Sequence, residues 1–426
     1  MNIDSLIEEL LILVSIFSIF RITFLDLSAT KLSASVGLIA GMGYFLLIPF
    51  LIRNSFGVIT ANDLEIPDFS ELTSDLSLFV LFAFLTSIAA YYFSPLRKAK
   101  PDGDDFTPFM LKAGTMSVAW LVFLFSIAGI TQGEHWSLSG AGRFGTGGGP
   151  IFLVLLNFVN LTILSLPAIV LYSKENVTRR KLSYVVFSLC LVAMAVTGNR
   201  IFMLGPLFAI FFSATRIQKI IILCLTPLVL LGASVYSVLR ATLWLSGNTF
   251  EAMSIEISRA VEYVLNSSNI VEILSSAFES SSALVLSVIV NDETGRFNLG
   301  SFETLFFRPI RFIFPYISDD HYVNSVSLFV GRQIGLEGDV AINSTLLGEA
   351  WMNGGYIAWL YIVIVVLAID FMALKSNISN LSRAILFAAA FCSWRFEFIF
   401  ILIGVFYVVV YESYLFKFKK RIEIGI

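Results

Sequence analysis

Apolar runs about twenty residues long recur through most of this chain, and they constrain its fold more than any motif does. SLFVLFAFLTSIAAYYF and YIAWLYIVIVVLAIDFMALK are examples. A helix needs about 20 apolar residues to cross a hydrocarbon core of roughly 30 Å. By that rule spans are expected at 6–24, 33–52, 75–93, 110–130, 151–172, 182–197, 201–215, 219–239, 355–374, 384–394 and 397–414. The runs around Gly198 and Trp394 are short or divided by tight turns, so the expected number is about eleven, between ten and twelve.

Composition agrees with the runs. Of 426 residues, 57% are hydrophobic and 14% charged, against about 25% charged in a typical soluble domain. Too few polar side chains remain to coat a water-facing surface, which excludes a soluble enzyme and a disordered chain. The expected fold is an all-α polytopic membrane protein, one integral membrane domain over 1–426, with a large extracytoplasmic loop at 240–354. Its first partner is therefore the lipid bilayer.

Net charge is −3, from 28 Lys+Arg and 31 Asp+Glu. No clustered basic face points to nucleic acid. Cys190, Cys224 and Cys392 all sit in apolar runs and read as small buried hydrophobes. The first twenty residues hold Asp4, Glu8 and Glu9 but no Lys or Arg, unlike a cleavable signal peptide. The first run is expected to stay as a helix.

Basic residues set the orientation. They concentrate at Arg97/Lys98/Lys100/Lys112, Lys174/Arg179/Arg180/Lys181, Arg216/Lys219, Lys375/Arg383 and Lys417/Lys419/Lys420/Arg421. These segments alternate with the other loops, which makes them cytoplasmic. The C-terminus then lies inside and, for an odd number of spans, the N-terminus outside. The outer loops are 53–75, 131–149, 198–200, 240–354 and a turn near 393–396. The fourth exceeds a hundred residues, far beyond an ordinary connection, and function is expected there. The stretch 281–291 within it is too short to span and reads as an interfacial or re-entrant helix.

The two faces differ in kind as well as in number of cations. All eleven lysines fall on the expected inner side, whereas the outer side carries Arg53, Arg143, Arg200, Arg240, Arg259, Arg296, Arg308, Arg311, Arg332 and Arg395. Positive-inside bias would deplete both residue types outside. Arginine's fixed fork of donors grips phosphate or carboxylate bidentately, so the set as a whole suggests an anionic ligand. Pairing with loop acids such as Glu251, Glu256, Glu262, Asp319 and Asp320 is the plainer reading for individual positions.

Five positions stand out. Arg200, in TGNR, occupies a turn between two runs. Arg395, in SWRFEF, lies between apolar runs with Glu397 two residues on, where charge is expensive. Arg308 and Arg311 in RPIRF share a face if helical. Arg143 lies in GAGRFGTGGGP, whose glycines either permit close backbone approach to a ligand or simply open a span.

Several chemistries lack their parts. There is no Walker A loop, no GxGxxG after a strand, no HExxH and no CxxC. With only His135 and His321, a three-histidine metal site is impossible, and no metal or cofactor is expected. His321, after Asp319 and Asp320, is either a general base or acid or a solvated loop residue. His135, beside Trp136, reads as packing or interfacial. Asp63 and Glu65 form a D-x-E pair also seen in polyprenyl-phosphate-sugar glycosyltransferases, but five acids within fourteen residues favour plain solvation there. Glu349, in GEAWMNGG, is either an outer-rim carboxylate able to deprotonate a sugar hydroxyl or pair an arginine, or part of helix-entry chemistry with Asn353, Gly354 and Gly355 making the turn.

Taken together, GMGYFLLIPFL, TGNRIFM, RPIRFIFP, the N-x5-GEAWMNGGY entry to a span and SWRFEF resemble the Wzy-type O-antigen and oligosaccharide repeat-unit polymerases of bacterial surface-polysaccharide pathways. The likeness covers most of the chain in plan and few residues in identity. It implies a GT-C-like fold in the bacterial cytoplasmic (inner) membrane, with an amphipathic outer-loop segment over the pocket, a role open to 281–291. It implies a metal-independent glycosyltransferase that moves a growing chain from undecaprenyl pyrophosphate onto a new lipid-linked repeat. The implied partners are that lipid-linked oligosaccharide, a chain-length regulator and a flippase.

In such an enzyme Arg143, Arg200, Arg308, Arg311 and Arg395 would contact pyrophosphate or acidic sugars, and Glu349 or His321 would be the base. The chain departs from the R-x10-G motif of some members, since no outer arginine has glycine at that spacing. An O-antigen ligase, a lipid-linked oligosaccharide flippase or other transporter, and a membrane scaffold are the competing readings.

Overall fold

The computed structural model describes residues 32–49, 74–98, 250–266, 281–300, 302–307, 326–335, 344–378 and 380–423, with Leu13, Ser15 and Phe17 as isolated helical positions. Among the described residues every regular element is helical. The chain divides into two compact units: Met1–Lys100, Leu274–Ile378 and Leu386–Ile426 form one, Pro101–Ile273 and Ser379–Ile385 the other. The expected spans between 110 and 239 lie outside the described residues, as does most of 6–24.

In the first unit, α1 (Ala34–Met42) starts at Ser33, whose hydroxyl accepts the Val36 N–H at 3.2 Å, so one of the first turn's unpaired donors is satisfied. A π-turn, Gly43–Leu47, prolongs it. The next helix, α2 (Ser74–Phe93), matches the expected 75–93 closely. The second unit contributes α3 (Phe250–Leu265), an amphipathic helix. Ile257, Val261 and Leu265, four residues apart and so on one face, are all exposed, whereas Ala260 is buried.

The large loop contains α4 (Ser281–Val290), a π-turn at Glu303–Phe307 and α5 (Val326–Gln333). Then come α6 (Thr345–Lys375), α7 (Asn380–Phe396) and α8 (Ile399–Glu423). In α6 the expected start at 355 is a break inside a longer element. Gly354 (φ 141°, ψ 20°) and Gly355 (φ 60°, ψ −128°) take backbone conformations open in practice only to glycine. They separate a short buried helix, 345–353, from the long one that follows.

The helices α2 and α6 are long and apolar enough to cross a membrane, whereas 34–47, 385–395 and 399–409 are apolar but shorter. Each long helix has two faces. On α6, Trp359, Ile362, Val366 and Ile369 are buried, and Ile357, Leu360, Ile364 and Phe371 are exposed. On α2, Leu78, Leu85 and Tyr92, spaced by seven, form the exposed apolar stripe. Water would penalise such stripes, but lipid tails do not.

Packing in the core relies on small residues. Gly37 and Gly41 of α1, one turn apart, face α7 so closely that a Cβ on Gly37 would overlap the Phe387 carbonyl. One on Gly41 would overlap the Trp394 ring. This is the small-xxx-small contact that lets membrane helices approach without a hydrophobic drive. Trp394 donates to the Leu38 carbonyl at 2.8 Å, Trp359 donates to Thr86 Oγ1 at 2.9 Å, and the two indoles lie 5.6 Å apart. Both buried N–H groups are thus paired, as burial requires. Cys392 is buried and free, in keeping with its reading as a small hydrophobe.

Candidate functional site: two polar clusters at opposite ends of α6

Glu349 and Asp370 are both fully buried on α6, 21 residues apart. At 1.5 Å per residue that is up to ~30 Å along the element, about the thickness of a hydrocarbon core. Each carboxylate sits in its own cluster.

Asp370 joins three helix ends. Oδ1 accepts the Ala34 N–H at 2.9 Å; Oδ2 accepts the Ser35 hydroxyl at 2.6 Å, the Ser94 hydroxyl at 2.7 Å and the Ser35 N–H at 3.3 Å. A carboxylate against the first N–H groups of α1 is favourable, because those donors and the helix dipole both present positive charge. The carboxylate thereby gathers the start of α1, the residue after α2 and the C-terminal part of α6 into one cluster. Asp370 was missed in the sequence reading, although an acid inside AIDFMALK carries the usual signal of a buried, partnered charge.

Glu349 lies at the other end. Its Oε1 accepts the Thr304 hydroxyl at 2.8 Å and its Oε2 accepts the Phe398 N–H at 2.6 Å. Asn353, one turn on, donates to Thr304 Oγ1 (2.7 Å) and to the Glu349 carbonyl (2.8 Å), while its Oδ1 accepts the Thr304 N–H at 2.9 Å. The carbonyls freed by the break in α6 are also taken up, Met352 O by Leu299 N–H and Asn353 O by Phe302 N–H. Non-helical backbone at depth is thereby closed off by the protein itself. The rings of Phe302, Tyr361 and Phe398 line up beside this cluster at 5.5 and 5.9 Å.

One residue from Phe398, Glu397 ends α7 with φ 82°. Its carboxylate Oε1 accepts the Ser327 N–H at 3.0 Å and the Ser327 hydroxyl at 3.3 Å, at the start of α5. The apolar face of α5, Val326 and Val330, packs with Val285, Val288 and Ile289 of α4, Phe297 and Met352. Four non-glycine residues have positive φ among those described, and Phe302, Thr345 and Glu397 are three of them. Strained backbone gathered in this way marks a site whose surroundings over-determine it.

The candidate residues are therefore distributed unevenly. Glu349 is sealed with both oxygens engaged. Arg395 is half-buried in the last turn of α7, where a cation suits the helix dipole. Arg143, Arg200, Arg308, Arg311 and His321 lie outside the described residues. Asn353 and the glycines make a turn, as expected, but inside the helix rather than at its entry. Thr304 and Ser327 carried no sequence signal, since a lone hydroxyl in an apolar loop is common.

The stretch 281–291 needs correction. It is a helix too short to span, and Val285 to Val290 are all buried, which leaves no face for headgroups and goes against the interfacial alternative but not the re-entrant one. Of the described helices, α3 has the amphipathic pattern instead.

Among the described residues no group of three His, Cys, Asp or Glu side chains is placed to hold a metal ion. Comparison with protein-family models, curated proteins and solved structures returns no match for this chain.

Proposed function

We propose that this chain is a polytopic, GT-C-like membrane glycosyltransferase of about eleven spans that polymerises polyprenyl-pyrophosphate-linked oligosaccharide repeats at the outer face of the bacterial cytoplasmic membrane. One observation carries the reading. The large outer loop folds back on the helix ends, where Thr304, Asn353 and the Phe398 N–H build a closed polar cluster round Glu349, with the apolar face of α5 packed on Met352 beside it. A loop serving only as a connection has no need of such construction. The lysine-free, arginine-bearing outer face adds the chemistry for a pyrophosphate.

In this reaction the arginines, Arg143, Arg200, Arg308, Arg311 and Arg395, hold the donor's pyrophosphate. Glu349 or His321 takes the proton from the accepting sugar hydroxyl. The anomeric C–O bond to pyrophosphate breaks, the glycosidic bond forms, and the lipid pyrophosphate leaves. No metal or nucleotide enters the balance. Glu349 is fully buried, so its use as the base requires the cluster to open to the accepting hydroxyl.

The break in α6 gives a second reading some support, because discontinuous helices near ion or substrate sites are typical of secondary transporters. The size-resolved surface-glycan profile of a strain lacking the gene separates the readings. Single repeats on the surface acceptor without long chains support the polymerase. Long chains left on the lipid carrier indicate an O-antigen ligase, repeats trapped on the inner leaflet a flippase, and an unchanged profile removes the glycan assignment.

A further inference from the structure

The π-turn of the large loop is fixed on one side and open on the other. Phe302, which leads into it, holds φ 62°, a conformation that bulky residues avoid. Its N–H reaches the Asn353 carbonyl at 3.2 Å, and its own carbonyl takes the Phe306 N–H at 2.9 Å. Thr304 is pinned twice more, through its hydroxyl to the Glu349 carboxylate and through its N–H to Asn353. Thr304 and Leu305 are fully buried, whereas Phe306 and Phe307 are 49% and 45% exposed, with their rings edge to face 5.4 Å apart. A segment bonded this firmly cannot turn its two phenylalanines inward, and water is a poor surrounding for them.

The level of the turn is set by α6. Half-buried Trp351 and exposed Tyr356 flank the Gly354–Gly355 break, their rings 6.1 Å apart, and such rings favour the boundary between water and hydrocarbon. Tyr361 stands five residues after Tyr356, or ~8 Å further along the helix. The ring of Phe302 meets Tyr361 at 5.5 Å. Interfacial segments sink their apolar side to about this depth, ~5–10 Å. The exposed stripe of α6, with Ile357, Leu360 and Ile364, begins at the same level. In sequence the phenylalanine pair runs straight into Arg308, and arginine beside aromatic residues suits the level of lipid phosphates.

Resting on the membrane part of the reading above and not on its chemistry, we propose that the turn 302–307 dips into the outer leaflet, where Phe306 and Phe307 anchor the large loop among phospholipid acyl chains. Phospholipid is the occupant because it is what surrounds the exposed stripe of α6 at this level. The loop is then not wholly aqueous, and the Glu349 cluster lies directly behind a lipid-facing wall.

The test uses the full-length protein in cells whose phospholipids carry radioactive phosphate, with p-benzoylphenylalanine replacing one residue at a time. At the exposed positions 306 and 307 the larger ring leaves Thr304 and Leu305 undisturbed. Leu360→p-benzoylphenylalanine on the α6 stripe is the lipid reference, and Glu293→p-benzoylphenylalanine, exposed in the turn after α4, is the water reference. On irradiation, positions 306 and 307 should capture phospholipid within about threefold of position 360 and about tenfold above position 293, with the adduct identified by its mass.

Capture no greater than at 293 while 360 is labelled overturns the proposal. So does a cross-linked dimer at 306 or 307 in place of lipid, which would assign the patch to a second copy. An adduct with the mass of a polyprenyl lipid in place of phospholipid overturns it as well, since the pair would then belong to the donor site. Absence of lipid at every position, 360 included, removes the membrane reading itself and the anchor with it.

Discussion

The Phe398 N–H donates to the Glu349 carboxylate at 2.6 Å across 49 residues of sequence. The bond ties the residue just before α8 to the short buried half of α6, and Thr304 adds the large loop through the other oxygen. Glu349→Ala leaves a buried N–H and a buried hydroxyl without their acceptor, so about 3 kcal/mol of stability should be lost. Glu349→Gln keeps one good acceptor and should lose about 1 kcal/mol. Thermal unfolding in detergent reads both. If the Gln variant remains folded and transfers repeats at the wild-type rate, Glu349 is a brace and the base lies elsewhere.

Gly41 and Trp394 make the complementary apolar contact between α1 and α7. A Cβ at Gly41 overlaps the indole and also comes within 2.9 Å of the Phe391 carbonyl; one at Gly37 comes within 3.1 Å of the Ala390 Cβ. Backbone cannot retreat as a flexible side-chain end can. Overpacking of this kind costs typically 1–3 kcal/mol, so Gly41→Ala and Gly37→Ala should each lower the unfolding midpoint measurably. Gly295→Ala, which has open space but a φ of 72°, should lose only the smaller backbone component.

What was legible in the sequence followed from hydropathy, and what was not followed from tertiary contact. The α2 boundaries were read almost to the residue because an apolar run that must span a fixed thickness has few alternatives. The start of α6 was read at 355 because NGG looks like a stop, yet the loop residues before it re-form a helix once Leu299 and Phe302 satisfy the break. No period in the sequence encodes that. Glu349 stood out as a lone acid at the rim of an apolar run. Its partners did not, since a threonine and a backbone N–H carry no signal until the chain brings them together. Asp370 was legible in principle and passed over, hidden by the strength of the run around it. The short segment 281–291 reads as interfacial or re-entrant from its length and its place in a polar loop, whereas its burial depends on α5 and Met352 packing over it.

Asp370 should behave as a structural lock at the opposite end from Glu349. Four donors converge on it from Ala34, Ser35 and Ser94. Asp370→Ala strands all of them in a buried place and should reduce stability by about 3 kcal/mol or more, enough to lower the amount of protein in the membrane. Asp370→Asn retains one oxygen for the serine side and should be milder. Immunoblotting of membrane fractions with thermal unfolding of the purified variants checks the order Ala below Asn below wild type.

A pH effect is expected at the turn after α4. Burial raises the Asp292 pKa, but bonds from the Thr294 hydroxyl, the Phe297 N–H and the Thr294 N–H, with Arg296 at 3.4 Å, outweigh it and leave the carboxyl below its ordinary value of 3.8. A depressed folded-state value means the carboxylate contributes stability at pH above 3.8 and loses that contribution as pH falls through the lower folded-state value. Wild type should therefore be more stable than Asp292→Asn near pH 6, with the gap closing below about pH 3.8. A gap that is constant with pH would mean the turn is held by Gly295 and the ring of Phe297 rather than by charge.

The exposed stripe on α6 makes the strongest demand on the membrane reading. Ile357, Leu360, Ile364 and Phe371 are open to the surroundings while Trp359, Ile362 and Val366 are sealed. If lipid covers the stripe, cysteines placed at 360 and 364 in the intact chain should resist a water-soluble maleimide in sealed cells and in permeabilised ones alike. A cysteine at Lys375, the last residue of α6, should react only after permeabilisation if that end lies inside, as the loop charges imply. A cysteine at exposed Arg332 in the large loop should react in sealed cells. Reaction at 364 in sealed cells would mean that water, or a protein surface that can leave, covers the stripe. Reversal of the 332 and 375 results would invert the orientation, and with it the assignment of the arginines to the outer face on which the proposed chemistry depends.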